Sequence, residues 1–170
     1  MQAWIGLGGN SKDSGDLLRR ALELLAAEPA ITLLRRSRCY RTPPWGMRDQ
    51  PEFVNAVAEL ATELPPLSLL DRILGIERRL GRVRKGPRWG PRSIDLDLLT
   101  YDEWELQSDE LELPHPRMHL RAFVLVPLLE VEPEFVIPGR GAAIDWLRRI
   151  DPSERAAVVP LPIASEVNTP

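Results

Sequence analysis

The ten residues TPPWGMRDQP at 42–51 constrain the fold more than any other stretch of this chain. Pro43, Pro44, Gly46 and Pro51 interrupt them, so neither a helix nor a strand runs through. The segments on either side read as strands. Residues 31–41 alternate imperfectly through Ile31, Leu33, Ser37 and Cys39, and residues 52–63 (EFVNAVAELATE) sit between the loop and Pro65-Pro66. Two consecutive strands with no helix between them favour an antiparallel α+β arrangement over the alternating order of a Rossmann sheet.

The rest of the chain completes that plan. Residues 2–9 (QAWIGLGG) read as a short strand closing in a glycine turn. Ser14 or Asp16 is placed to cap a helix running to about Ala27, with Leu17, Leu18, Ala21, Leu22, Leu24 and Leu25 on its apolar face. Pro66 falls near the first position of a second helix, which reaches Leu80 and stops at Gly81. Residues 93–101 (SIDLDLLTY) alternate as a strand. A buried helix is expected over 120–131 despite Pro127, and a short one over 142–150. The order is β-α-β, β-α-β, then extra C-terminal helices, which is the ferredoxin-like split βαβ plan. We expect a single domain over residues 1–160, with a loose tail beginning at about Pro160.

The chemistry concentrates between Arg78 and Leu99 (RRLGRVRKGPRWGPRSIDLDLL). Seven cations, Arg78, Arg79, Arg82, Arg84, Lys85, Arg88 and Arg92, occur there with no acid among them. The whole chain carries a formal net charge of −3, so this is a local patch suited to a compact anion, not a nucleic-acid footprint. Gly81, Gly86, Pro87, Gly90 and Pro91 give the patch the composition of a mobile flap, with Trp89 at its tip. Asp95 and Asp97 follow. The period of two puts both on one face, with Ile94, Leu96 and Leu98 on the other. Two carboxylates so close repel by about 1–4 kcal/mol at partial burial, and a divalent cation reverses that sign. Hard oxygen donors without His or Cys suit Mg²⁺ shared with phosphate oxygens.

Other classes are narrowed by what the residues lack. Gly6-x-Gly8-x-x-Ser11 misses the third glycine of a dinucleotide fingerprint, and there is no GxxxxGK[ST] P-loop. The lone Cys39 excludes an internal disulfide and fits a reducing compartment. MQAWIGLGGN lacks the charge and apolar run of a signal peptide, and no run approaches the roughly 18 apolar residues of a membrane span. A cytoplasmic monomer binding neither membrane nor nucleic acid is expected. Read without further help, the residues also admit a Mg²⁺-dependent phosphohydrolase or a ferredoxin-like RNA-binding module. Asp95 and Asp97 stand where the latter would carry stacking aromatics.

RWGPRSIDLDLL at 88–99 resembles the signature of the 6-hydroxymethyl-7,8-dihydropterin pyrophosphokinases of folate biosynthesis. GLGGN at 6–10, YRTPPWG at 40–46, QPEFVNAV at 50–57, IERRLGRVRK at 76–85 and LPHPRMHLRAFVLVPL at 113–128 are similar to that family in order and spacing. The likeness spans about residues 1–150. It implies transfer of the β,γ-diphosphate of ATP to the pterin hydroxymethyl group, with AMP released. It further implies that Asp95 and Asp97 ligate two Mg²⁺ ions. No side chain stands out as the base for the hydroxymethyl group, and we expect Asp97, or a metal bound by it, to assist loss of its proton. Arg82 and Arg92 would hold the transferring phosphates. Glu77, Arg84, Trp89, Leu98, His115 and Arg121 would lie on the ATP side. Thr42, Pro43, Pro44, Trp45, Phe53, Asn55 and Phe123 would form the pterin pocket. A flat ring rich in donors and acceptors suits stacking between Phe53 and Phe123, with the Asn55 amide on its edge. The chain departs from the family at Phe53, often Tyr, and at Leu74, often Gln.

Overall fold

The computed structural model describes residues 1–44, 50–81 and 93–162. Its first half runs Gln2–Gly9 (β1), Ser14–Ala26 (α1), Ile31–Arg36 (β2), Tyr40–Thr42 (β3), Phe53–Thr62 (β4), Pro66–Arg79 (α2) and Asp95–Tyr101 (β5). Then come Leu106–Gln107 (β6), Glu112–Leu113 (β7), a 3-10 turn at Met118–Leu120 and Ala122–Val131 (α3). Val136–Ile137 (β8), Gly141–Ala142 (β9), Ala143–Arg149 (α4), Pro152–Ala156 (α5) and Val159–Pro160 (β10) follow.

The main sheet is antiparallel in the order β10-β3-β4-β1-β5, with β2 also pairing β4. β2 and β3 are two halves of one sheet position, on the distal and proximal parts of β4. The spatial order is therefore β5, β1, β4, β2/β3, the expected split βαβ plan. The strand anticipated over 31–41 breaks at Ser37, which explains its imperfect alternation. Ser37 N–H donates to the Val57 carbonyl at 2.9 Å, while its hydroxyl accepts from Val57 N–H at 3.0 Å. A side chain thus replaces one rung of the ladder.

Both faces of the sheet are covered. On one, Leu18, Leu22 and Leu25 of α1 and Leu69, Ile73 and Ile76 of α2 pack on Ile5, Leu7, Leu60, Leu96 and Leu98. On the other, Met118 and α3 residues Val124, Leu125 and Leu128 pack over Trp4, Val57 and Leu99. Trp4 meets Phe135 edge-on at 5.2 Å. This second layer stops short of one end of the sheet.

Local signals explain most boundaries. Pro66 occupies the first turn of α2, and Gly81 follows its end at φ +84°. α1 starts at Ser14, so Ser14 and Asp16 lie in its first turn and Asp13 holds the capping position instead. There the Asp16 carboxylate favours the helix dipole. α3 runs through Pro127, whose ring removes the N–H that would reach the Phe123 carbonyl. The alternation of residues 93–101 holds only as far as Leu99. Ile5 pairs with Leu98 but Trp4 with Thr100, so Leu99 is an extra residue and Tyr101 turns to the α1/α2 side.

The C-terminal part differs most from expectation. α5 was not anticipated. It opens with Pro152, and its Asp151 cap accepts from Ser153 N–H at 2.8 Å. Pro160 and Leu161 are not loose: β10 pairs β3, and Leu161 N–H donates to the Cys39 carbonyl at 2.8 Å. Residues 163–170 lie outside the described residues, as do residues 45–49 of the 42–51 loop and the whole basic segment 82–92. No described helix is long and apolar enough to cross a membrane.

Candidate active site

Where β3, β4, β1 and β5 lie side by side beyond the N-terminus of α3, the sheet face opens into a cavity of about 290 Å³. Its floor is bare because of two glycines. Gly8 pairs with Asn55 on one side and Asp95 on the other, and Gly6 pairs with Val57 and Asp97. A Cβ on Gly8 would stand 2.8 Å from Asn55 Oδ1, closer than real side chains approach. The Gly-x-Gly dismissed as a cofactor fingerprint is therefore the gap between an amide and two carboxylates. Glycine at every second position of a strand is the signal that could have revealed it.

One wall comes from β3 and β4. Thr42 and Phe53 are register partners, and Asn55, Phe53, Thr42 and Pro43 all line the cavity. Asn55 is only 6% exposed, and its Nδ2 donates to Thr42 Oγ1 at 2.7 Å. That bond orients the amide, as a buried amide requires. Phe123, at the start of α3, contributes a second aromatic ring to the same cavity.

The opposite side is charged. Asp95 and Asp97 project from one face of β5 into the cavity, while Leu96 and Leu98 between and after them are buried in the core. Arg121 Nη1 lies 3.9 Å from Asp97 Oδ2, and its guanidinium sits 5.5 Å from the centre of the Phe123 ring. His115 joins them from the β7–α3 connection, its N–H donating to the Leu99 carbonyl at 2.7 Å. Burial first, and then the Arg121 charge, hold its pKa down to about 4. Its imidazole is neutral at neutral pH.

The donor set fits Mg²⁺ carried in with a polyphosphate. Among the described residues no group of three or more His, Cys, Asp or Glu could enclose a metal. Two adjoining carboxylates on an open face instead leave positions for phosphate oxygens and water, the usual coordination of this ion.

Two residues expected on the ATP side face elsewhere with their side chains. Leu98 belongs to the core beneath α1 and α2. Glu77, only 1% exposed, sits behind β5 and accepts from Leu96 N–H at 2.7 Å. It thereby holds the residue between the two aspartates. Pro44 ends the first described stretch. Trp45, Arg82, Arg84, Trp89 and Arg92 lie outside the described residues.

Comparison with known proteins gives one consistent result. Residues 4–133 match the family model of 7,8-dihydro-6-hydroxymethylpterin-pyrophosphokinase. The chain is 48% identical over 152 residues to the 2-amino-4-hydroxy-6-hydroxymethyldihydropteridine pyrophosphokinase of Methylorubrum extorquens, covering 89% of this chain and 95% of that protein. Identity to the Haemophilus influenzae protein of the same name is 43% over 137 residues, covering 81% and 85%. Among solved structures, wild-type HPPK-DHPS of Plasmodium falciparum superposes with a TM-score of 0.68 at 14% identity. That match covers 86% of this chain and 42% of the other, and it shows a shared fold. With the motifs, the sheet order and the relatives in agreement, this chain belongs to the 7,8-dihydro-6-hydroxymethylpterin-pyrophosphokinase family.

Proposed function

We propose that the cavity on the β3-β4-β1-β5 face is where this pyrophosphokinase moves the β,γ-diphosphate of ATP to 6-hydroxymethyl-7,8-dihydropterin. The products are AMP and the pterin diphosphate, in folate biosynthesis. The observation that carries this reading is the adjacency of two kinds of surface. Two aromatic rings and an oriented amide share one cavity of small-molecule size with paired carboxylates, an arginine and a neutral histidine.

In this reading the pterin stacks between Phe53 and Phe123, and Asn55, held by Thr42, reads its edge. Pro43, Pro44 and Trp45 belong to the pterin-binding set. Phe53 stacks as a tyrosine would. Asp95 and Asp97 hold two Mg²⁺ ions, which neutralise charge on the phosphates when bound. Arg82 and Arg92 grip the transferring group, and Arg84, Trp89, His115 and Arg121 contact ATP. Glu77 and Leu98 support that half from beneath the strand. Asp97 faces the hydroxymethyl side and assists removal of its proton. A cytoplasmic monomer is consistent with the lone reduced cysteine and the mildly acidic composition.

Incubation with Mg-ATP and the hydroxymethyl dihydropterin tests the reaction directly. AMP together with a diphosphorylated pterin is expected. ADP and phosphate, or AMP and free pyrophosphate, would instead show a phosphohydrolase.

A further inference from the structure

The two rings that stack on the pterin belong to different layers: Phe53 rides on β4, beside its register partner Thr42 of β3, and Phe123 rides on helix α3. A flat ligand stacked between layers requires a fixed separation, and the sheet ladder alone does not supply one. Part of the link is polar, since the Tyr40 hydroxyl donates to Glu130 Oε2 of α3 at 2.9 Å. The remainder comes from the far C-terminal end of the described chain. Val158 is 8% exposed and packs in one small cluster with Tyr40 of β3 and Ala122 of α3, with Phe123 against them. Directly after it, Val159 and Pro160 pair with Arg41 and Tyr40, and the Leu161 amide reaches the Cys39 carbonyl. The same four residues therefore wedge between the walls and cover the open edge of the strand that bears Thr42. They lie past residue 133, where the family match ends.

We infer that Val158–Leu161 is a positioning clamp that sets the width of the pterin slot, acting through Tyr40, Ala122 and the β3 edge without touching substrate. This inference rests on the functional reading above. The metal-binding half should feel it less, because Asp95 and Asp97 sit on β5, four strands away from β10, and only Arg121, beside Ala122, reaches across to Asp97. Displacement of a stacking wall by a fraction of an ångström misaligns the acceptor, and misplacements of that order cost large factors in rate or affinity.

The test uses the full chain with two variants that damage the clamp differently. Val158→Ala empties the wedge, and Leu161→Pro removes the amide that bonds Cys39. Each is expected to raise the KM for the dihydropterin about tenfold, with the KM for ATP within about twofold of the parent. Val158→Ile, which keeps the wedge filled, should retain the parent values. An unchanged pterin KM in both variants would overturn the clamp, as would a parallel rise for both substrates. Failure of the parent enzyme to form any pterin diphosphate would sink the functional reading instead, so the two failures are distinguishable.

Discussion

Replacing Gly8 by alanine probes the cavity floor with a single methyl group. Its Cβ would lie 2.8 Å from Asn55 Oδ1, about 0.6 Å inside ordinary contact. Neither partner yields easily. Gly8 is locked in the middle of the sheet between β4 and β5, and the Asn55 amide is tied to Thr42 at 2.7 Å. The amide must therefore swing away and lose that bond. An amide left partly unsatisfied at this depth costs about 1–3 kcal/mol. The same movement takes it off the edge of the pterin, so the loss appears in binding. At 1.4 kcal/mol per factor of ten, the KM for dihydropterin should rise by roughly five- to hundredfold, with ATP affinity nearly unchanged. Initial-rate kinetics with each substrate varied in turn would measure this. A double-mutant cycle identifies the cause. In an Asn55→Ala background the methyl meets no amide, so Gly8→Ala should add little, giving a coupling energy of about 1–3 kcal/mol. Fully additive effects, or a Gly8→Ala enzyme with the parent KM, would refute the argument.

Three other outcomes are expected. Asp97→Asn should raise the Mg²⁺ concentration for half-maximal activity about tenfold or more and lower turnover at saturating Mg²⁺; near-normal turnover there would remove Asp97 from proton transfer. Glu77→Leu deprives Leu96 N–H of its acceptor and should cost about 1–3 kcal/mol of stability, seen as a melting temperature lower by several degrees, whereas Glu77→Gln keeps an acceptor oxygen and most of the stability. For His115, the folded protein binds the proton less readily than the unfolded chain, whose imidazole titrates near 6.5. Its contribution to stability is thus intact above pH 6.5 and is lost as pH falls toward 4. Urea titrations of the metal-free protein should show the parent losing about 3 kcal/mol more than His115→Gln over that interval. Parallel pH curves would contradict the burial argument.

Much of the architecture is legible in the chain because it follows from interactions a few residues apart. Pro66 and Gly81 bracket α2 through their own backbone preferences, and the leucine spacing of α1 marks its buried face. Pro43, Pro44 and Pro51 forbid a crossover helix, so the strands around them pair antiparallel. The period of two is enough to put Asp95 and Asp97 together. Misreadings occur where a distant partner overrides the local pattern. Ser37 breaks a strand by bonding to Val57, and Leu99 bulges because β1 and β5 change register there. β10 follows the same rule: a two-residue segment with a weak pattern becomes a strand because β3 offers it an edge to pair with.

The site divides along the same line. The cationic run, the aspartate pair and the aromatic and amide residues of the pocket are chemically explicit in the sequence, and their motifs identify the family. Their arrangement is a tertiary matter. Gly8 faces Asn55 and Asp95, which lie 47 and 87 positions further along the chain, only because the ladder of β4, β1 and β5 sets that register. Glu77 bonds to Leu96 because α2 packs behind β5, and Val158 reaches the wall that bears Phe123 because the chain end returns to β3. Residue types and local periodicity are written in the covalent order. Strand register and layer contacts arise from long-range pairing and close packing, which no short window of sequence contains.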